Sequence, residues 1–558
     1  MTPSIFQLQN MGEKLASLQG INAKKLADDK LSAVCVLRVC EGAKIHIMSQ
    51  LPAKKLVVAS DALGAKSLVR KIASWGVKVD YLPYRDDVLI ARKSFSEQGM
   101  RERICTLRDI AFGEVDTVVT SADSLLQLFP KRELVKKYTV CVKKEDVISP
   151  QSLADKLALA GYKRQAMVAD AGDFSVRGDI VDVCDVSGVA YRINFFDELV
   201  ENIKVIDVET MLASNEVENV SFAPTSDILL DETGYDYARE RLSLYPENKN
   251  AQQAKELLSV GACDSSAVWA LPFLKNCTSN IFDFFDDDRP TLVIFDEPRV
   301  VSDKLQILEK EFSGRIKTLC EGGEILDEHK DVCISLHEVK RQLIFVRKMG
   351  FASLSLDNRL FEPKYVIEPK TRPVTKYYLD PNVMVQDLKN FALNGTKVVM
   401  ACGGREQAKN IIESLREYDI LATYSEDGNG EGSILATPLQ VETGFIYPAV
   451  KACLIGTGEC IGKHRSAEIS VKTAEQALSP KPGDYVVHKI HGVGVCEGTT
   501  ILKTGEFEKE YIVLKYRDGD TLYVATDQMN NLQKFVGEEH PKLNKLGGKE
   551  FEREKEKV

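Results

Sequence analysis

GDFSVRGDIVDVCDVSGVAYRINFFD, residues 172–197, is the stretch on which the reading of this chain turns. It reads as two strands and a loop, with side chains sorted by period-2 alternation. In the second strand Tyr191, Ile193 and Phe195 share one face, while Arg192, Asn194 and Phe196 share the other. The first strand alternates too, with Phe174 and Val176 on one side and Ser175 and Arg177 on the other. If Tyr191, Ile193 and Phe195 form the core set, the opposite face shows two arginines and a phenylalanine. Arginine beside an exposed aromatic is the composition of a protein-binding hot spot. The alternative places Phe196 at a strand end, tucked under the next loop. Alternation leaves both readings open.

The 558 residues allow about three to five domains, each with its own core. Composition is ordinary, at 44% hydrophobic and 28% charged residues, with no low-complexity tract. A formal charge of -10 argues against a protein that coats nucleic acid through its overall field, although it allows a local basic groove. Thirteen cysteines are scattered through apolar stretches such as AVCVLRVC and KVVMACGG, without a C-x-x-C pair. Buried free thiols in a reducing compartment are expected rather than disulfides or zinc. The N-terminal MTPSIFQLQNMGEKL has no basic and apolar leader pattern, and no apolar run reaches the ~18 residues of a membrane span. The expectation is a soluble, cytoplasmic protein that does not enter membranes.

Along the chain the pattern is α/β multidomain. Residues 1–130 alternate strands (KKLVVAS, VKVDYLP, DTVVTSA) with helices (ALGAKSLVRKIASWG, RERICTLRDIAFG, DSLLQLFP), which implies a parallel sheet. Residues 131–222 turn strand-rich and read as an inserted α+β domain. Residues 223–355 resume the α/β pattern, including the strand TLVIFDEP at 291–298. The Pro- and charge-rich FEPKYVIEPKTRP reads as a linker, and residues 376–462 as a further α/β domain. A polar linker, KHRSAEISVKTAEQALSPKPGD, leads to a β-rich module at 480–548. Its short strands and turn glycines are those of a small β-barrel. Residues 549–558 look like the first turns of a charged helix.

An α/β domain with Asp296 and Glu297 at the end of an apolar strand has the shape of a Walker B site. The matching phosphate loop would be RVCEGAKI, residues 38–45. Lys44 is in place, but Arg38 and Ala43 stand where glycines belong, and Ile45 replaces the hydroxyl that would hold magnesium. Without those glycines the backbone amides cannot converge on phosphate. Lys44 is then expected to be a surface or cap lysine, and Asp296 and Glu297 to cap a strand end. His488 and His491 lack a Cys or acidic partner at ligand spacing and read as turn histidines, so no metal site is expected. Gly403–Gly404 reads as a tight strand-to-helix turn. Seven scattered histidines assemble no catalytic triad, and no catalytic residue is assigned.

The order of modules resembles the N-terminal half of the bacterial transcription-repair coupling factor family (Mfd). RVCEGAKI, RDDVLIARKSFSEQGMRERICTLRDI (85–110) and GDFSVRGDIVDV…YRINFFDE look like that family's UvrB-like module, a nucleotide fold whose phosphate loop is degenerate. The resemblance implies that residues 172–197 bind UvrA, with Arg177, Arg192 and Phe196 as the contact residues. PGDYVVHKIHGVGVCEG (482–498), EYIVLKYRDGDTLYVATDQ (510–528) and KLNKLGG (542–548) look like the RNA-polymerase-interacting domain shared with CarD-type (Tudor-like) regulators. Residues 481–558 hold 13 Lys/Arg and 14 Asp/Glu, a near-neutral balance that favours a protein partner over a DNA backbone. In the family the strand after the HGVG turn, here about 496–503, pairs with the polymerase β subunit by edge addition. Leu502 aligns with a contact residue, the alternative being a core leucine.

The family continues into a linker helix and an ATP-driven translocase on double-stranded DNA, and no G-x-x-x-x-G-K-[ST] occurs in this chain. A truncated or incomplete sequence is expected. The resemblance therefore implies a monomeric, non-enzymatic scaffold for transcription-coupled DNA repair, with no cofactor of its own. ATP, magnesium and most DNA binding would belong to the motor. The alternatives are a UvrB-type helicase and a CarD-like transcription regulator without a repair role.

Overall fold

Strands without polar alternation are buried on both faces, as in a parallel sheet covered by helices. In a computed structural model of the chain, Ala33–Leu37, Lys55–Ala59 and Thr117–Ser121 are buried at every residue. The described residues are 33–51, 53–85, 97–208, 210–263, 265–285, 292–353, 359–377, 381–460, 483–488, 492–504, 507–517, 520–525 and 532–534. The chain divides into two units, Met1–Cys460 and Ile461–Val558. In the first unit a seven-stranded, all-parallel sheet runs in the order 365–367, 33–37, 347–352, 292–296, 55–59, 117–121, 79–82. Helix Ala62–Ala73, started by the Asp61 carboxylate on the Gly64 amide, follows the Lys55–Ala59 strand.

Two local expectations change. FEPKYVIEPKTRP is not merely a linker. Its Tyr365–Ile367 pairs with Val34–Val36 as the sheet's edge strand, and Arg372 bridges Ile446 of the next sheet. Prolines flank this strand rather than interrupt it, which an edge tolerates. DSLLQLFP holds only one helical turn, Ala122–Leu125, before the short strand Phe129–Pro130. There the Gln127 carboxamide draws the chain towards Arg85, accepting from its N–H at 2.8 Å and donating to its C=O at 2.7 Å.

Between the strands 117–121 and 292–296 is inserted a six-stranded sheet. Its strands follow chain order: Lys163–Arg164, Asp173–Arg177, Ile180–Cys184, Ala190–Phe196, Leu199–Ile206 and Ala213–Val217. The opening stretch is therefore three strands, not two. Ile180–Cys184, read above within the loop, is joined to Asp173–Arg177 by the two-residue turn Gly178–Asp179, with Gly178 at φ +58°. A positive φ costs glycine nothing, which lets the strands turn so tightly. The apolar face, with Val176, Val181, Ile193 and Ile203 in register, belongs to the same core as Leu153 and Leu157 of helix Pro150–Leu159.

A second α/β sheet runs 423–424, 434–437, 397–401, 452–455, 445–447, parallel except for the last pair. In the second unit, five antiparallel strands run 521–525, 507–515, 492–504, 485–488, 532–534, around Val486, Cys496, Ile512, Leu514 and Tyr516. The thirteen cysteines are free thiols. No helix of the described residues is long and apolar enough to cross a membrane.

Candidate functional site

Burial follows the expected alternation from Ile193 on, with Ile193 and Phe195 buried, Asn194 half-buried and Phe196 73% exposed. Tyr191 of the expected core set is only half-buried, like Arg192, and Ala190 on the other face is buried. Arg192, Asn194 and Phe196 thus share the face away from the core. Arg177 reaches the same face from the Asp173–Arg177 strand.

Between the two arginines lies a residue that the sequence reading passed over. Asp182 is fully buried and sits opposite Arg192 across one strand pair and opposite Ser175 across the other. Arg192 binds it through two bonds, Nε to Oδ1 at 2.7 Å and Nη2 to Oδ2 at 3.0 Å. Arg177 donates its Nη2 to the same Oδ2. Both guanidiniums are therefore held by one carboxylate, a charge-assisted arrangement that fixes their planes. Arg192 is less open than alternation implied, its side chain 22% exposed against 46% for Arg177. The hydrogen bonds to Asp182 hold the Arg192 pKa above its ordinary value. Asp182 was legible in principle, since IVDVC alternates and places it on the face of Arg192. Reading that segment as a loop hid it. The row continues as Arg192, Lys204 and Glu216 across the next two strands, so two adjacent cations are flanked by Asp182 and Glu216.

The residues of the phosphate-loop reading also come together. Arg38 adopts φ +54° after the first strand, its N–H bonds the Ala352 carbonyl, and its guanidinium meets Glu368 at 2.7 Å. Helix Glu41–Gln50 follows, with Ala43 and Ile45 buried. Lys44 is not the surface or cap lysine expected: its side chain is 13% exposed and its Nζ lies 2.8 Å from Asp296 Oδ1. Burial opposes the Lys44 charge, but Asp296 and Glu41 outweigh it and raise the pKa. Asp296 thus faces a lysine instead of only ending its strand. Glu297, at φ +55° in the N-cap position of helix Pro298–Glu321, accepts hydrogen bonds from Ser353.

The first turn of helix Glu41–Gln50 is covered. A Cβ on Gly42 would come within 2.4 Å of the Gly444 carbonyl oxygen and 2.7 Å of that of Thr443. The Cys40 N–H donates to Thr371 Oγ1 at 3.0 Å. Deeper in the same contact, His46 Nδ1 lies 3.0 Å from the Tyr447 hydroxyl.

In the second unit, strand Gly492–Thr504 is paired with Phe507–Lys515 along most of its length. On its other side, Tyr485–His488 reaches only to Val495, with two further backbone bonds between Cys496 and residues 483–484. Among the described residues no strand flanks 497–504 on that side. Leu502 lies in this half, its backbone opposite Lys509. His488 ends the Tyr485–His488 strand, and His491 lies outside the described residues. Gly403 turns at φ +79° ahead of helix Arg405–Arg416. Among the described residues no group of His, Cys, Asp and Glu could hold a metal ion. A cavity of about 770 Å³ beside helix Pro298–Glu321 is lined by none of the candidate site residues.

Residues 140–227, which contain the six-stranded sheet, match the family described as UvrB interaction domain. Residues 481–536 match the CarD-like/TRCF RID domain. Among curated proteins, the transcription-repair-coupling factor of Staphylococcus haemolyticus is 26% identical over 500 residues, covering 85% of this chain and 42% of its own length. That of Bacillus subtilis is 26% identical over 484 residues, covering 82% and 41%. The chain spans less than half the length of these relatives. With a UvrB interaction domain followed by a CarD-like domain, the chain is similar, module by module, to the N-terminal half of transcription-repair coupling factors.

Proposed function

We propose that this chain is a recruitment scaffold for transcription-coupled DNA repair in the cytoplasm. The six-stranded sheet would bind UvrA through Arg177, Arg192 and Phe196, and the CarD-like module would bind the β subunit of RNA polymerase. The observation that carries this reading is the exposed face of the UvrB interaction domain. Two arginines held by one buried carboxylate share that face with a phenylalanine that is 73% exposed. A large exposed aromatic is costly to leave in water, and on one face with oriented arginines it is useful to a partner. The open half of the Gly492–Thr504 strand, with Leu502, supports strand addition as the mode of polymerase binding.

On the same reading the 33–50 and 292–297 region is a degenerate nucleotide fold that binds neither ATP nor magnesium. Two features support this: carbonyl oxygens of Thr443 and Gly444 lie against the helix start where phosphate would need amides, and Lys44 is engaged by Asp296. Protein recognition, not catalysis, is then the chemistry of a monomeric chain, with DNA translocation left to a motor. We place the small β module as a barrel of the CarD type.

The test is a pair of pull-downs, with UvrA and with core RNA polymerase, using the chain with and without residues 480–558. Removing the module abolishes capture of polymerase and leaves capture of UvrA intact. Polymerase capture that survives the deletion contradicts the assignment.

A further inference from the structure

The exposed face does not end at Phe196. Phe196 pairs in register with Leu199 across the hairpin, and Leu199 forms an antiparallel bridge on its other side with Val147. Direct cross-strand neighbours point to the same face, with Cβ atoms about 4.5–5.5 Å apart. Phe196, Leu199 and Val147 therefore form an apolar row across two strands and one bridged residue, exposed by 73%, 40% and 76%. The row is held by the backbone: Glu145 N–H to Val200 C=O at 2.9 Å, Val200 N–H to Asp146 C=O at 2.9 Å, and Ile148 N–H to Glu198 C=O at 2.8 Å. Immediately behind it Phe195 and Val200 are buried, so the row rests on the core and cannot turn inward.

Three adjacent exposed apolar side chains on a rigid strand frame mark a contact surface rather than chance exposure. The row is continuous with the arginine clamp. Arg192, Asn194 and Phe196 alternate along one strand, which puts the clamp about 13 Å from the row. Asn194 fills the interval by donating to Asn202 at 2.7 Å. Asp197 and Glu198, both exposed, form the hairpin turn just beyond Phe196. From the clamp to the turn, the face thus presents carboxylate-held arginines, the apolar row and two exposed acidic residues.

We infer that Val147 and Leu199 are contact residues for UvrA, extending the surface beyond Phe196. The partner surface would carry a carboxylate for the arginines, an apolar patch for the row, and a basic residue beyond it. This rests on the proposed UvrA reading and adds to it two residues, one of them 49 positions upstream of Phe196.

The test uses the whole chain titrated with UvrA. Val147→Asp, Val147→Lys and Leu199→Asp are each expected to weaken binding at least tenfold, with the urea midpoint unchanged because the side chains face water. Both signs of charge at 147 should weaken it, which separates loss of apolar contact from repulsion. Leu421→Asp, at a position 86% exposed in the second α/β sheet's domain, should leave binding unchanged. If the 147 and 199 variants bind normally while Phe196→Ala does not, the inference falls and the UvrA reading stands. If Arg192→Ala and Phe196→Ala also bind normally, both fall. If Val147→Asp abolishes a concentration-dependent dimer in sedimentation without changing affinity for UvrA, the row is an interface between copies and the inference is overturned.

Discussion

Asp182 and Arg192 face each other across neighbouring strands, joined by two hydrogen bonds of 2.7 and 3.0 Å. The carboxylate is fully buried, yet the guanidiniums that cover it reach solvent. On the proposed reading it would orient the arginines for a partner, so that less rotamer freedom is lost on binding.

Asp182→Asn therefore affects two quantities at once. The amide presents N–H groups to donors, so one guanidinium loses its acceptor. Breaking a fully buried pair costs about 3–5 kcal/mol. Because Arg177 and Arg192 regain water, a loss of about 1–2 kcal/mol is expected here, read as a lower urea midpoint. Affinity for UvrA should fall about tenfold although residue 182 cannot touch the partner. Unchanged affinity would mean that the clamp only holds the sheet together.

Lys44→Ala removes the partner of Asp296, whose side chain is 20% exposed. The stability cost is about 1–3 kcal/mol, that of leaving a largely buried acceptor unpaired. Magnesium-ATP should shift the melting temperature of neither protein. A stabilisation by ATP that disappears in Lys44→Ala would overturn the view that the site has lost its nucleotide.

His329 gives the chain an acid-sensitive point. It is 1% exposed, receives the Leu326 N–H at 3.3 Å on Nδ1, and places Nε2 3.1 Å from the Trp269 carbonyl. Burial pushes its pKa from 6.5 down to about 4. With the folded value below the unfolded one, its contribution is complete above pH 6.5 and is lost as pH falls through about 4. The full loss is about 3 kcal/mol. Urea unfolding between pH 7 and pH 4 should show this slope, and His329→Gln should flatten it. An NMR titration of the ring near 6.5 would contradict the assignment.

What the sequence revealed follows the range of the interactions concerned. The inner parallel strands were legible because an apolar run such as KLVVA is buried on both sides. The faces of Arg177, Arg192 and Phe196 were legible because alternation is a local rule. Asp182 was missed through one local error, a strand taken for a loop across a two-residue turn. The edge strand Tyr365–Ile367 was missed because its prolines speak for a linker and only the neighbouring strand recruits it. Lys44 and Asp296 were each noticed, but their pairing spans 252 residues and depends on the strand order of the sheet. Val147 joins Leu199, and through it Phe196, by a single bridge that no local pattern announces.

Calorimetric titration of UvrA into the whole chain, compared with Arg192→Ala and Phe196→Ala, tests the central claim most directly. Saturable binding is predicted for the unaltered chain, weakened by about 1–3 kcal/mol in each variant, as for other hot-spot truncations. The Phe196→Ala chain should unfold at the same urea concentration as the parent. Equal affinity in all three, or no binding by the unaltered chain, would contradict the account.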